Sequence, residues 1–453
     1  MRHSDSQKLL DSVLSETIPM YGRMIHSQDN TGNLTEESQQ YDVHGQFIRA
    51  VDRANLNKLL LDELDDLPNV KLLFNHKLAG ADFRKRKAWF ERKGRGGRAA
   101  PQTADGAQAN QDQEDATPQE IEVPFDLILG CDGAHSSVRY HMMKFVRMDY
   151  EQSYIDTLWC EFTIPLATTT DSSKSASARD GFATSPNHLH IWPSQDDKMF
   201  IAIPSVDKSF TCTLFAPSAT FASLEQNPSS IEQFFHTQFP GAADLIGVSE
   251  LRKQFSQNPH LPLISIKCSP HTFSSSGAIL GDAAHAMVPF YGQGMNAGLE
   301  DVRVLFSHLD AHPTDRSAAL AAYSAERVPD AHTINDLALH NYWEMHAGVT
   351  SPLYLLRKRI EEFLSDKVPS SGFKTQYSRV SFSNQRYSEV WKSVEQQGRW
   401  LARGLVGSVL VPAMGWAAWW AWRYQRASHT GRKALWGSLG LGVLGERVGR
   451  MFT

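Results

Sequence analysis

Apolar and polar positions divide the chain into segments of different character. Residues 7–20 carry apolar side chains at helical spacing and predict a short amphipathic helix. Tyr21-Gly22-Arg23-Met24-Ile25-His26 then reads as a strand with one arginine among apolar neighbours. After a polar loop, residues 45–51 predict a strand, and Asp52 stands where a helix would need a side-chain cap. Residues 70–74 read as a short strand, and 123–129 as an apolar strand running directly into Gly130-Cys131-Asp132-Gly133. In the middle of the chain, residues 187–193, 198–204 and 209–217 are strand-length runs rich in apolar and β-branched side chains. Polar turns at 194–197 and 205–208 separate them, so an antiparallel sheet is predicted. Period two puts Met199, Ile201 and Ile203 on one face of their strand, and Thr211, Thr213 and Phe215 on one face of theirs. Further on come an Ala-rich helical region, the interruption Arg327-Val328-Pro329-Asp330, and a second helix through residues 336–345.

Composition changes this picture in three places. Residues 92–120, RKGRGGRAAPQTADGAQANQDQEDATPQE, hold almost no large apolar side chains and cannot offset their own ordering entropy. They predict a disordered insertion within a hairpin. Residues 168–183 read as a Ser/Thr-rich surface loop. Residues 405–422, LVGSVLVPAMGWAAWWAW, are uncharged and flanked by Arg399, Arg403, Arg423 and Arg426. As a helix they would span roughly 27 Å, against ~30 Å of hydrocarbon, and tryptophans suit a membrane interface. A membrane-anchoring tail is the preferred reading, although Pro412 would also suit a core-docked helix, and basic residues on both sides leave its orientation open.

Charge and cysteine usage exclude several classes. A net charge of -5 over 453 residues gives no basic field for nucleic acid. Cys131, Cys160, Cys212 and Cys268 form no C-x-x-C and read as buried thiols of a reducing compartment. His188 and His190 share a strand face without a third ligand, so no metal is expected. The N-terminal residues have no apolar h-region and are not read as a secretory signal. Gly440-Leu441-Gly442-Val443-Leu444-Gly445 matches G-x-G-x-x-G, but no strand precedes it, so it is not read as a dinucleotide site.

Candidate chemistry concentrates in residues 277–301, GAILGDAAHAMVPFYGQGMNAGLED. Gly281 and Asp282 follow an apolar run, so the carboxylate sits at a strand's end, where it can accept from a ligand hydroxyl. Pro289, Gly292, Gly294 and Gly298 let the backbone approach a flat group. The first N–H groups of the next helix, at Gly294, Met295 and Asn296, would point at it. That pattern suits an anionic, hydroxyl-bearing cofactor.

These residues resemble the second FAD-binding motif of the flavoprotein aromatic hydroxylases, the single-component monooxygenases similar to para-hydroxybenzoate hydroxylase. The G-x-D-G run ending in Asp132 and Gly133 resembles that family's D-G motif. The runs Arg23-Met24-Ile25-His26 and Asn341-Tyr342-Trp343-Glu344-Met345 are most similar to its kynurenine-hydroxylating branch. The resemblance implies FAD as cofactor, held by Arg53, Leu78, Asp132, Gly133, Gly281, Asp282, Gly294, Met295 and Asn296. It implies NADPH and O2 as co-substrates and an aromatic amino acid, L-kynurenine, as substrate, within tryptophan degradation. Arg23, Tyr41, Phe215, Asn341, Glu344 and Tyr377 would contact that substrate, with Pro289, Phe290 and Tyr291 beside the reactive edge of the flavin. It further implies the mitochondrial outer membrane, facing the cytosol, or otherwise the cytoplasm.

The implied fold is α/β (α+β): an incomplete FAD-binding Rossmann-like domain of the para-hydroxybenzoate hydroxylase type, an antiparallel-sheet substrate domain, and a C-terminal helical and membrane tail. The expected divisions are 1–150 for the partial FAD-binding domain, 151–270 for the antiparallel sheet, 271–330 for the GD motif and its helix, 331–400 for a helical region, and 401–453 for the tail. The family's first strand, Gly-rich turn and helix have no counterpart in this sequence. The expectation is an incomplete sequence, the alternative a non-catalytic remnant unable to hold FAD.

Overall fold

The computed structural model describes residues 7–41, 44–92, 120–167, 175, 177–194, 197–347, 352–368 and 372–428. Two compact units are distinguished, Met1–Val390 and Trp391–Thr453. In the first, the three middle runs form the expected ladder: His188–Pro193, Met199–Pro204 and Phe210–Ala216 pair antiparallel in sequence. Their alternation has physical consequences on both faces. Phe200, Ala202, Phe210, Cys212 and Leu214 are buried on one side, against the helices Ser218–Gln226, Ile231–Gln238, Ala242–Ile246 and Val248–Gln257. Phe162, Phe221, Phe235 and Phe239 complete that core. On the other face the register sets Met199 opposite Phe215, Ile201 opposite Thr213 and Ile203 opposite Thr211, as period two predicts. Full burial on one side and partial burial on the other make this sheet a roof with a usable underside.

Four further strands extend it to seven, in the order Leu261–Ser269, Asp149–Ile164, Phe210–Ala216, Met199–Pro204, His188–Pro193, Gly22–Gln28, Leu34–Gln40. Gly22–Gln28 joins parallel to His188–Pro193, with Arg23 beside Leu189. Gly22 is required there because a Cβ would lie 2.5 Å from the Gln39 carbonyl oxygen. The edge strand Leu34–Gln40 lies within the segment read as a polar loop. Its side chains, LTEESQQ, are largely exposed, so no apolar alternation marks it.

A small sheet orders Thr272–Phe273, Gly277–Ile279 and Ile128–Gly130, the last two parallel. The backbone is drawn tight here. A Cβ on Gly130 would meet Val138 at 2.7 Å, and one on Gly277 would meet the Phe83 ring at 2.6 Å. The Phe83 ring makes edge contacts with Phe125, Phe145 and Phe273. A third sheet joins His76–Asp82, Lys87–Arg92 and Glu120–Pro124 antiparallel. The strands flanking the low-complexity insertion therefore pair with each other, while residues 93–119 lie outside the described residues.

Several expectations are corrected. The N-terminal helix is Gln7–Ser15 only; Thr17–Met20 is a strand paired with Ile48–Val51, where Pro19 and two β-branched residues suit an extended edge. Residues 70–74 form no strand, and Val70, Leu73 and Phe74 are exposed. The run 123–129 is two elements: Glu120–Pro124 ends at a proline, and Ile128–Gly130 pairs in a different sheet. Pro329 does not divide its region, because Arg316–Ala347 is one helix. The end of the Ser/Thr-rich loop is not surface, since Phe182 and Ala183 are buried. Cys131 is exposed, although the other three cysteines are buried.

In the second unit, the helix Tyr387–Ser428 continues to its end with Trp416, Trp419, Trp420 and Trp422 exposed. Among the described residues no helix is long and apolar enough to cross a membrane, so the spanning tail has no support there. Side chains 404–413 and the G-x-G-x-x-G run lie outside the described residues. Gly130→Ala is expected to destabilise the first unit by about 1–3 kcal/mol through overpacking against Val138 and Ile279. A urea titration checks it, with an unchanged midpoint counting against the packing argument.

Candidate active site

Two motifs lying well apart in sequence leave the carboxyl ends of adjacent parallel strands. Ile128–Gly130 leads to Asp132, and Gly277–Ile279 leads to Asp282; the Leu280 N–H donates to the Gly130 carbonyl at 2.9 Å. Open α/β sheets bind ligands at this kind of edge. Gly133 and Gly281 both have positive φ, 81° and 58°. Gly281 also passes close to the following helix, where a Cβ on Gly298 would lie 3.5 Å from the Gly281 Cα.

The two aspartates do different work. Asp132 accepts from the Ser136 hydroxyl and, at 3.0 Å, from the Val138 N–H, so it shapes the entry to Ser137–Met142. Asp282 is exposed at the end of its strand and makes no hydrogen bond among the described residues. Beyond it, the 18-residue helix Gly294–Ala311 opens with no side-chain cap, and Met295 and Asn296 lie exposed in its first turn. A carboxylate and the positive end of a helix are thus both left open to a ligand. A cleft of about 540 Å3 adjoins the first motif, lined by Leu78, Phe90, Leu129, Asp132 and His135 among others.

Beneath the GD turn lies a buried charged cluster that pattern reading passed over. Asp301, 0% exposed, accepts from the Gly281 N–H at 2.8 Å, from His285 Nε2 at 2.6 Å and from Arg327 Nε at 2.8 Å. Arg327, 1% exposed, also reaches Glu300 at 3.1 Å, and Asp330 accepts from Arg386 at 2.9 Å. Burial by itself raises the Asp301 carboxyl. His285, its hydrogen bond, Arg327 and the Gly281 N–H outweigh that and hold the group at about 2. A sequence signal existed: Asp301 falls on the buried stripe of its helix with Ala297, Val304 and Leu305. A carboxylate on an apolar stripe demands a partner.

Of the residues expected at the substrate, Arg23, Tyr41 and Tyr377 gather in one cluster, and Phe215 and Asn341 gather around Phe290. Arg23 lies 4.8 Å from the Tyr377 ring centroid and 5.7 Å from that of Tyr41. Tyr41, Tyr377 and Tyr291 form a stacked series, at 5.7 and 6.0 Å between centroids. Phe290 packs on Phe215 at 5.0 Å and on Tyr342 at 4.7 Å, and its carbonyl accepts from the Asn341 amide at 2.8 Å. Arg23 has no carboxylate partner among the described residues, and the buried Tyr41 hydroxyl has no hydrogen bond. Burial first, then Tyr377, raises that phenol's pKa, while Arg23 opposes. An unpaired guanidinium beside an unsatisfied hydroxyl is an incomplete anion site. Arg53 is exposed at the first turn of Arg53–Asp65, capped by Asp52 as expected. The Glu344 side chain lies outside the described residues.

The FAD binding domain family matches residues 14–338. The kynurenine 3-monooxygenase of Neurospora crassa is 54% identical over 448 residues, covering 94% of this chain and 82% of its own length. That of Chaetomium globosum is 56% identical over 419 residues, covering 89% and 84%. The chain belongs to the kynurenine 3-monooxygenase family.

Among solved structures, a 2-methyl-3-hydroxypyridine-5-carboxylic acid oxygenase aligns with TM-score 0.53 at 17% identity, over 77% of this chain and 80% of that one. PqsL of Pseudomonas aeruginosa aligns with TM-score 0.52 at 18% identity, over 75% and 82%. They share the mixed α/β fold. The residues present fit the family's cofactor: Asp282 offers an unpartnered acceptor for a ribityl hydroxyl, and the open helix end at Gly294 suits the flavin's anionic pyrimidine edge.

Asp301→Asn should cost about 3–5 kcal/mol, because it takes the fully buried carboxylate from Arg327 Nε and His285 and leaves Arg327 only Glu300 and Asp330. The Asp301 pKa is depressed on folding, so its contribution is complete above about pH 4 and lost as pH falls toward 2. Stability measured against pH should lose that acid-limb component in the variant. An unchanged acid limb would show the carboxylate to be energetically idle.

Proposed function

We propose that this protein is an FAD-dependent monooxygenase that hydroxylates the aromatic ring of L-kynurenine, using NADPH and O2. The single observation that carries the substrate end is the pairing of Arg23, without an anion partner, with the unsatisfied Tyr41 hydroxyl under an aromatic roof. A guanidinium fork and a phenol hydrogen suit an amino-acid carboxylate. Tyr377 stacks between Tyr41 and Tyr291 and covers that end of the site.

FAD, when bound, would supply the redox chemistry that couples NADPH and O2 to ring hydroxylation. The chain's own work is to orient and to exclude water. Phe215 and Phe290 form an apolar wall for the aminophenyl ring, and Asn341 pins the Phe290 carbonyl, fixing the backbone of Pro289–Tyr291. No side-chain general base is required, because the ortho amino group itself activates the ring. Asp282 would hold the ribityl chain, while Gly294, Met295 and Asn296 would face the flavin. Arg53, Leu78, Asp132 and Gly133 would contribute to the same cofactor. A non-catalytic remnant would need none of these open groups, which is why the enzymatic reading is preferred.

Arg23→Ala should raise KM for kynurenine about 10- to 100-fold while leaving flavin content unchanged. Absorbance of the purified variant and NADPH oxidation with and without kynurenine measure the two separately. Equal loss of flavin and substrate binding would mean that Arg23 is structural. A wild-type chain that stays colourless after FAD reconstitution would remove the enzymatic reading altogether.

We further propose that the C-terminal helix meets a lipid surface through its tryptophans, in keeping with a membrane-bound protein of the mitochondrial surface. Support comes from Trp416, Trp419, Trp420 and Trp422 all being exposed on one helix, with Arg423 4.9 Å from the Trp419 ring. The full chain should sediment with anionic phospholipid vesicles, and replacing these four tryptophans by Ser should release it. Equal sedimentation of both proteins would count against a lipid contact.

A further inference from the structure

Behind the strand that carries Arg23 lies a second pocket. Alternate residues of Gly22–Gln28 face opposite ways, so Met24 and His26 point away from Arg23. They line a cavity of about 330 Å3 together with Leu34, Glu36, Trp192 and Leu245. His26 is 7% exposed and His190 0%.

The hydrogen bonds fix where the protons sit. The Ser185 carbonyl can only accept, so His190 Nε2, 2.7 Å away, donates to it. His190 Nδ1 is therefore a lone pair, and His26 Nε2, at 2.8 Å, donates to that. His26 is left with a bare Nδ1. It faces its cross-strand neighbour Glu36, whose Oε1 is 3.8 Å away. Two acceptors thus look at each other with no hydrogen between them among the described residues. That separation is too long for a direct hydrogen bond and suits one bridging donor.

The surrounding contacts hold this arrangement. Trp192 stacks on the His26 ring at 3.9 Å and 7°, and its Nε1 donates to the Pro240 carbonyl at 3.0 Å. The Ser175 hydroxyl donates to Glu36 at 2.6 Å. Burial lowers the His26 pKa to about 3, which keeps Nδ1 bare at neutral pH.

We propose that this pocket is a second ligand site, distinct from the flavin and substrate site, for a small primary ammonium compound. Its nitrogen would bridge His26 Nδ1 and Glu36, and its apolar stem would lie against Leu34, Pro240 and Leu245. A nitrogen about 2.9 Å from both acceptors sees them about 80° apart, within reach of two N–H bonds of one ammonium group. Glu36 supplies the charge, His26 the direction, and the apolar walls the preference for a stem.

The test uses the full chain near neutral pH, titrated with n-butylammonium chloride and, in parallel, with tetramethylammonium chloride, which has the charge but no N–H. Calorimetry should give saturable binding of n-butylammonium at one site, weakened about tenfold or more in Glu36→Gln. Tetramethylammonium should not bind. Nitrogen-15 NMR of the imidazoles should place the free-protein proton of His26 on Nε2 and move its Nδ1 resonance on titration. Absence of saturable binding would mean that only water bridges the pair and would overturn the proposal. So would equal affinity in Glu36→Gln, equal binding of the two ammonium ions, or a proton on Nδ1 in the free protein. Should Glu36→Gln fail to fold, the ammonium comparison and the NMR result on the unaltered chain still decide.

Discussion

The buried Asp301 carboxylate ties the cofactor side together. One side chain receives the Gly281 N–H, His285 and Arg327, and so joins the GD turn to two long helices. Its charge is tolerable only because these donors surround it; each of them in turn would be costly to bury without it. The geometry that leaves Asp282 outward follows from this. With the backbone N–H of Gly281 anchored inward, the next residue, Asp282, is left exposed.

The large sheet solves a different problem. Its fully apolar face, crowded with phenylalanines, supplies the cohesion of the core. Its other face carries Met199 and Phe215 buried and Ile201, Ile203, Thr211 and Thr213 only partly so. Gly22–Gln28 serves both sides of the same sheet. Arg23 projects into the aromatic site, while His26 is locked between Trp192 and His190 on the reverse. The strand that carries the Arg23 guanidinium is thus braced on its reverse by the Trp192 stack and the His26–His190 hydrogen bond.

Much of this was legible in the chain. Period two gave the three middle strands and the correct shared face. Asp52 as a helix cap, the turn at Gly133 and the open helix end at Gly294 followed from local stereochemistry. Two of the errors share a cause. The polar edge strand Leu34–Gln40 and the extended segment Thr17–Met20 carry no apolar period of their own and exist because a partner strand supplies their hydrogen bonds. Pro329 suggested an interruption, yet tertiary packing along Arg316–Ala347 overrides one missing donor.

The sequence by itself determined which residue types could meet a flavin and an amino acid, because glycine turns, strand alternation and helix starts depend on neighbours a few positions away. Only the tertiary structure decided which charges are spent internally and which remain available. Asp132 is engaged in capping, Asp301 in burial and Asp282 in neither, although all three read alike as aspartates near glycines. The physical reason is that the state of a charged group is set by its desolvation and its partners. For Asp301, Arg327, His26 and Glu36 those partners are brought close by folding and not by proximity along the chain.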